Sequence, residues 1–187
     1  MTTKMTNGIL FIIAGLGPMA VYLGLGPDGT GILDKAHTEK FAAYTLLAFP
    51  LAFMMTRNVV RNTWIDAGLL IIVVGLIMGL VADATNSAEI SAESDLIAEA
   101  IGMTGWSIMY LGIFVTGLGY LRTDLFPKWL SGLLSVVSLA FFVFVAVLSP
   151  EQLSTNGDNI VPPIWMLNSL VLVILGIFTM RRSEATG

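Results

Sequence analysis

Residues 122–132 read RTDLFPKWLSG, a basic, polar turn between the apolar runs GWSIMYLGIFVTGLGYL and LLSVVSLAFFVFVAV. An apolar stretch of about 20 residues, coiled as a helix, matches the hydrocarbon thickness of a bilayer. The chain leaves that medium at the turn because Arg122, Asp124 and Lys128 are costly to hold in lipid. Pro127 suits the start of a new helix, since its fixed φ is already helical and its missing N–H would have no partner there. Trp129 then places an indole where such rings favour the membrane interface. The turn therefore reads as the link between two membrane-crossing helices.

The same pattern extends over the chain. Of its 187 residues 56% are hydrophobic and 12% charged, with a mean hydropathy of +0.84; soluble domains carry roughly 25% charged residues. Hydropathy places six spans, at 8–26, 35–56, 64–83, 96–121, 127–149 and 161–181. Only short loops separate them, which predicts a single integral membrane domain over 1–187, an all-α six-helix bundle. The first block, GILFIIAGLGPMAVYLGLG, follows one lysine and precedes no small-residue cleavage signal, so it reads as a retained helix. Start signals agree with these limits: Asp34 as cap of the second span, Thr63 with Asp66 as a capping box for the third, and Pro162 and Pro163 in the first turn of the sixth.

Charge sets the sides. With six crossings, Lys4, Arg57, Arg61, Arg122, Lys128, Arg181 and Arg182 all fall on one side, which the positive-inside rule makes cytoplasmic. The other side holds Asp28, Asp34, Glu39, Asp83, Glu89, Glu93, Asp95, Glu99, Glu151 and Asp158 against Lys35 and Lys40. With Asp66, Asp124 and Glu184 counted inside, the balance is +4 inside and −8 outside, which accounts for the formal charge of −4. Both termini are expected in the cytoplasm, and the protein in the cell's inner membrane. Trp64 and Trp129 fall near inner ends, Trp106 and Trp165 near outer ones, as interface anchors do.

Several chemistries are excluded. There is no cysteine, hence no disulfide, thiolate metal site or cysteine nucleophile. No lysine lies mid-span for a retinal Schiff base. The single histidine, His37, cannot supply bis-histidine haem ligation or a paired-histidine zinc site. With Asp34 and Glu39 it reads as interfacial filler ahead of a weak surface metal or pH-sensitive site. No metal and no cofactor are expected. Nucleic acid is excluded as an outer partner by the sign of the charge, and the glycines of GLGPMA follow no strand, which excludes a phosphate loop.

What remains is polar or kinked positions inside spans. Glu99, with Asp95 one turn earlier, is the candidate for an ion pathway, against the simpler reading of two interfacial carboxylates on one face. Asn168 is the deepest polar group and should face another helix, either as interhelical glue or as a ligand contact. Pro18 and Pro50 interrupt the hydrogen-bond ladder of the first two spans, and such kinks shape pockets. Together with Trp106 and Tyr110 these form the ligand-binding candidates, and the first, second, fourth and sixth spans are the expected lining. Gly75 and Gly79 form a GxxxG pair, and Ser131 and Ser135 begin a second small-residue face; both predict close helix packing without saying whether the partner is this chain or another. The acidic stretch 83–95 reads as a solvated loop.

The turn also resembles one found in a broad prokaryotic family of six-helix membrane proteins known only as a domain of unknown function. Arg122, Leu125, Phe126, Pro127, Lys128, Trp129 and Leu130 are the positions that match its common run of a basic residue, a short spacer, Leu or Ile, Val or Ile, Pro, Arg or Lys, Trp and Leu. The resemblance implies the six-helix fold and brings no catalytic residues. The expected function is non-enzymatic: binding or passive conduction of a small apolar or weakly polar molecule inside the bundle. The alternative is an accessory subunit whose glycine and serine stripes point outward to partner membrane chains or to further copies of itself. A lipid-modifying enzyme would need an acid/base pair at one depth, with Asp95 and Glu99, or His37 and Glu39, to choose from.

Overall fold

The computed structural model describes residues 2–26, 29–30, 33–88 and 90–182, apart from the side chains at 29, 30, 150, 153, 154, 156–158 and 160–162. Asp28, Glu89 and Glu184, and the side chains of Asp158 and Pro162, lie outside the described residues. The fold is all-α. Its helices are α1 (Thr3–Leu25), α2 (Lys35–Leu46), α3 (Ala48–Val59), α4 (Thr63–Asn86), α5 (Ala92–Leu121), α6 (Lys128–Val147) and α7 (Pro150–Arg181). A two-residue antiparallel ribbon, β1 (Gly29–Thr30) with β2 (Leu33–Asp34), sits between α1 and α2. Among the described residues five segments are long and apolar enough to cross a membrane: α1, α4, α5, α6 and Pro163–Arg181 of α7.

Three local expectations are corrected. The second span is not one helix: α2 and α3 are separated at Leu47, whose N–H turns to Tyr44 O at 3.3 Å. Pro50 causes this, because it has no N–H for the Leu46 carbonyl four residues back and its ring crowds that turn. It ends up third in α3, where a missing N–H leaves nothing unpaired. The cap of α4 is Asn62, whose Oδ1 accepts from Ile65 N at 3.0 Å; Thr63 does not cap, and Asp66 pairs with Arg57 instead. The last helix starts at Pro150, well before Pro162 and Pro163. Ser149 and Gln152 exchange side-chain and backbone bonds there (Ser149 N to Gln152 Oε1 2.9 Å, Gln152 N to Ser149 Oγ 3.2 Å), a start signal of its own. Asp34 does cap α2, accepting from His37 N at 3.1 Å.

Around the bundle the neighbours run α1, α2 with α3, α4, α5, α6, α7 and back to α1. The tightest pair is α4 with α5, and glycine makes it so. Gly68 lies against Gly112 and Thr116, Gly75 against Gly105 and Met109, and Ala82 against Gly102. These contacts run antiparallel along the two helices. A Cβ on Gly75 would collide with the backbone N of Met109 and lie 2.6 Å from Gly105 O. The small residues recur every seven positions, at 68, 75 and 82 and at 105, 112 and 119, the spacing that keeps one seam facing its partner. In the same way α1 meets α7, with Gly8 on Gly176 and Gly15 on Ser169, and α6 meets α5 through Ser135 on Gly117. The stripes of Gly75, Gly79, Ser131 and Ser135 are thus buried inside one chain.

The basic ends collect at one end of the bundle. Lys4 Nζ donates to Arg182 O at 3.1 Å, which brings the two chain ends together. The 122–130 turn is tied down by chemistry beyond its charge. Arg122 lies 4.3 Å over the Trp64 ring, and Lys128 Nζ donates to the end carbonyls of Leu121 (2.9 Å) and Thr123 (2.7 Å). Phe126 is buried edge-on against Tyr120, with ring centres 5.2 Å apart.

Gly75→Ala should lower stability by about 1–3 kcal/mol, because the helices must separate to admit the methyl. Gly132→Ala, at a position with nothing within 4 Å of the new Cβ, should gain up to about 1 kcal/mol from helix propensity. Circular-dichroism melts in detergent test the pair, and equal shifts in Tm would contradict the seam.

Candidate functional site

Packing is uneven along the bundle. In the basic half, Phe53 lies 5.1 Å from both Phe11 and Phe49 and stacks on Tyr120 at 6.4 Å, and Tyr120 meets Phe126. These rings, all at most 3% exposed, fill the core. In the acid-bearing half the helices line a partly open cavity of about 310 Å³, toward the small end of ligand pockets, which run about 300–1,000 Å³.

Every helix lines it. From α5 come Met103, Trp106 and Tyr110, placed on one face by their spacing of three and four residues. Trp106 is seated against α4 because Gly79 has no side chain: a Cβ there would lie 2.7 Å from the indole. One turn beyond Gly79 the same face of α4 presents Asp83 and then Asn86. Gly15 and Pro18 of α1 face Trp165, Asn168 and Ser169 of α7, and Val145 of α6 closes the ring. Phe49 is the floor, continuous with the aromatic plug below it.

Of the ligand-binding candidates read from the sequence, the structure brings together Asn168, Trp106, Tyr110 and Pro18. Pro50 is not among the lining residues; it acts through the break at Leu47, on either side of which Leu46 and Phe49 reach the cavity. Asp95 and Glu99 are also elsewhere, one turn apart near the start of α5; Asp95 Oδ1 and Glu99 Oε2 have no hydrogen-bond partner among the described residues. Trp106 and Trp165 are corrected as interface anchors, since both turn inward to the cavity, while Trp64 and Trp129 remain exposed at the basic end. The lining also exceeds the four expected spans, because α4 and α6 contribute.

Asp83 is the residue that sequence reasoning missed. It was grouped with a solvated loop, yet α4 continues to Asn86 and carries it inward. The signal was its register with Leu76 and Gly79, both buried on the face that meets α5. No hydrogen-bond partner for its carboxyl occurs among the described residues, and it lies within electrostatic reach of Glu39. Glu39 in turn accepts from Tyr22 Oη at 2.6 Å, and the Tyr22 ring packs on Trp165 at 5.8 Å. His37 is committed elsewhere: its Nδ1 lies 2.7 Å from Asp34 Oδ1, and that hydrogen bond holds the Asp34 carboxyl below the usual carboxylate range. Among the described residues no three His, Cys, Asp or Glu gather as metal ligands.

Met103, Val145 and Leu148 also line a second hollow, of about 270 Å³, between α5 and α6. Only these three apolar side chains belong to both. Compared with known protein families, with curated proteins and with solved structures, the chain matches none.

Asn7 and Asn168 separate structural from binding roles. Asn7, 2% exposed, donates from Nδ2 to Thr56 Oγ1 at 2.9 Å, joining α1 to α3. Asn168 has no such partner among the described residues and faces the cavity. Asn7→Leu should therefore cost about 0.5–2 kcal/mol, whereas Asn168→Leu should stay within about 0.5 kcal/mol. Thermal melts of the two variants in one detergent decide it, and a large loss for Asn168→Leu would make that amide interhelical glue.

Proposed function

We propose that this is a non-enzymatic integral membrane protein that binds a small molecule, largely apolar, within its bundle. The 310 Å³ cavity, lined from all the helices, carries the reading. Its wall is mostly aliphatic and aromatic with a few convergent polar groups, the composition of small-molecule sites. Binding is favoured over passive conduction by the Phe11, Phe53, Tyr120 and Phe126 plug, whose buried rings pack together in the core of the basic half. The α5/α6 hollow, which shares Met103, Val145 and Leu148 with the cavity, offers a lateral approach between the helices.

In this reading α2 and α3 make the second crossing jointly. Alone, 12 residues of helix reach about 18 Å against a core of about 30 Å. The chain then crosses six times in the inner membrane, with the basic end and both termini in the cytoplasm. The resemblance of the 122–130 turn to six-helix proteins of unknown function supports the same layout. An accessory-subunit role has less support, since the small-residue stripes that motivated it are used within the chain.

Native mass spectrometry on protein released gently from its own membrane should show the 20.0 kDa chain with a discrete small-molecule adduct. Asn168→Trp, which places an indole at the cavity wall, should remove it. Stoichiometric foreign chains without an adduct would turn the assignment toward the subunit role.

Sidedness is open to direct measurement because the chain has no cysteine. In intact cells Ala88→Cys should react with an impermeant maleimide, and Asp124→Cys only after permeabilisation. The reverse pattern would invert the topology.

A further inference from the structure

The chemistry of the cavity narrows its occupant, given the binding role proposed above. Among the described residues its wall is apolar and aromatic except for Asp83, Asn86, Asn168 and Ser169, and Asp83 is the one ionisable carboxyl. No Lys, Arg or His is among the described residues that line the space. A carboxylate held in such surroundings without a cation is unfavourable, and it becomes favourable when an opposite charge sits beside it. An acidic neighbour, Glu39, adds negative potential and is itself held by Tyr22. Three aromatic side chains, Trp106, Tyr110 and Trp165, share the same wall. Ring faces attract alkylated ammonium groups, whose charge is spread over methyl or methylene groups and is cheap to remove from water.

We infer that the cavity is a site for a small organic cation, an alkyl- or arylammonium whose charge lies against Asp83 and whose apolar body packs on Trp106, Tyr110 and Trp165. Asn168 and Asn86 supply amide oxygens that accept from any N–H the ammonium carries. Asp83 is the counter-charge and the aromatics set the preference for an alkylated ammonium over an inorganic ion. Metal ions are poorly served, because Asp83 is the single carboxylate among the described lining residues and no three His, Cys, Asp or Glu gather there. Anions are opposed by Asp83 and Glu39 together. The excess of acids over the two lysines at this end of the bundle raises the local concentration of cations near the site.

The test uses benzyltrimethylammonium and its uncharged carbon isostere neopentylbenzene, titrated calorimetrically into the full chain in nanodiscs of zwitterionic lipid. The cation should bind the wild-type protein at least about tenfold more tightly than the isostere. Asp83→Asn, whose fold is checked by its melt, should weaken the cation by about tenfold or more and leave the isostere unchanged. Equal affinity of the two probes for the wild-type protein, or an unchanged cation affinity in Asp83→Asn, overturns the inference while the cavity remains a binding site for neutral molecules. Binding of neither probe also overturns it, and if native mass spectrometry finds no adduct as well, the binding role falls with it.

Discussion

The close approach of α4 and α5 is the constraint on which the rest of the bundle depends. Between helices in lipid there is no hydrophobic driving force, so association relies on van der Waals contact and on hydrogen bonds across the interface. Gly68, Gly75, Gly105 and Gly112 bring the two backbones into that contact. Asn62 then ties the basic end, with its Nδ2 donating to Gly119 O at 3.1 Å while its Oδ1 caps α4. The same seam positions the functional half. Gly79 makes space for Trp106, and the face carrying Gly79 carries Asp83 one turn further on. A packing device therefore also decides which side chains look into the cavity.

The division of the bundle into a filled half and a hollow half follows from where large rings occur. Phe11, Phe53, Tyr120 and Phe126 come from α1, α3, α5 and the 122–130 turn and meet near the basic end. In the other half α1 and α7 contribute Gly15, Pro18 and Ser169, which are too small to fill the centre. The break at Leu47 also belongs to this arrangement. It lets α2 and α3 each present a separate face, with Leu46 and Phe49 both reaching the cavity. Polar groups that would be costly against lipid are turned into the hollow or bonded to one another, as Tyr22 and Glu39 are.

Much of this was legible along the chain. The all-α membrane character, the cap at Asp34 and the turn at 122–130 depend on local quantities: the cost of placing each residue in lipid, the φ of proline, the hydrogen bond of a cap. Four of the five ligand-site candidates, Asn168, Trp106, Tyr110 and Pro18, line one cavity because each is a polar, aromatic or kinking residue inside an apolar run. The start of α7 was legible too, in the Ser149 and Gln152 pair, but hydropathy placed the boundary where the run becomes apolar and not where the helix is capped. At α4 the cap went to Asn62 and not Thr63, since both are good capping residues and only Asn62 also reaches a neighbouring helix.

Direction around each helix axis was decided by tertiary structure alone. Hydropathy measures depth averaged over all faces, so Asp83 read as the end of a span and Trp165 as an interface anchor, although both point inward. Small-residue stripes announce close packing but not the partner, and only the folded chain shows that α4 meets α5, α1 meets α7 and α6 meets α5 within one molecule. The sequence by itself determined the solvent, the placement of the apolar runs and the charge asymmetry, because these follow from the transfer of single residues between water and lipid. The cavity, its carboxyl and its aromatic wall arise from pairs of helices choosing faces, a choice made by contacts between residues far apart in the chain.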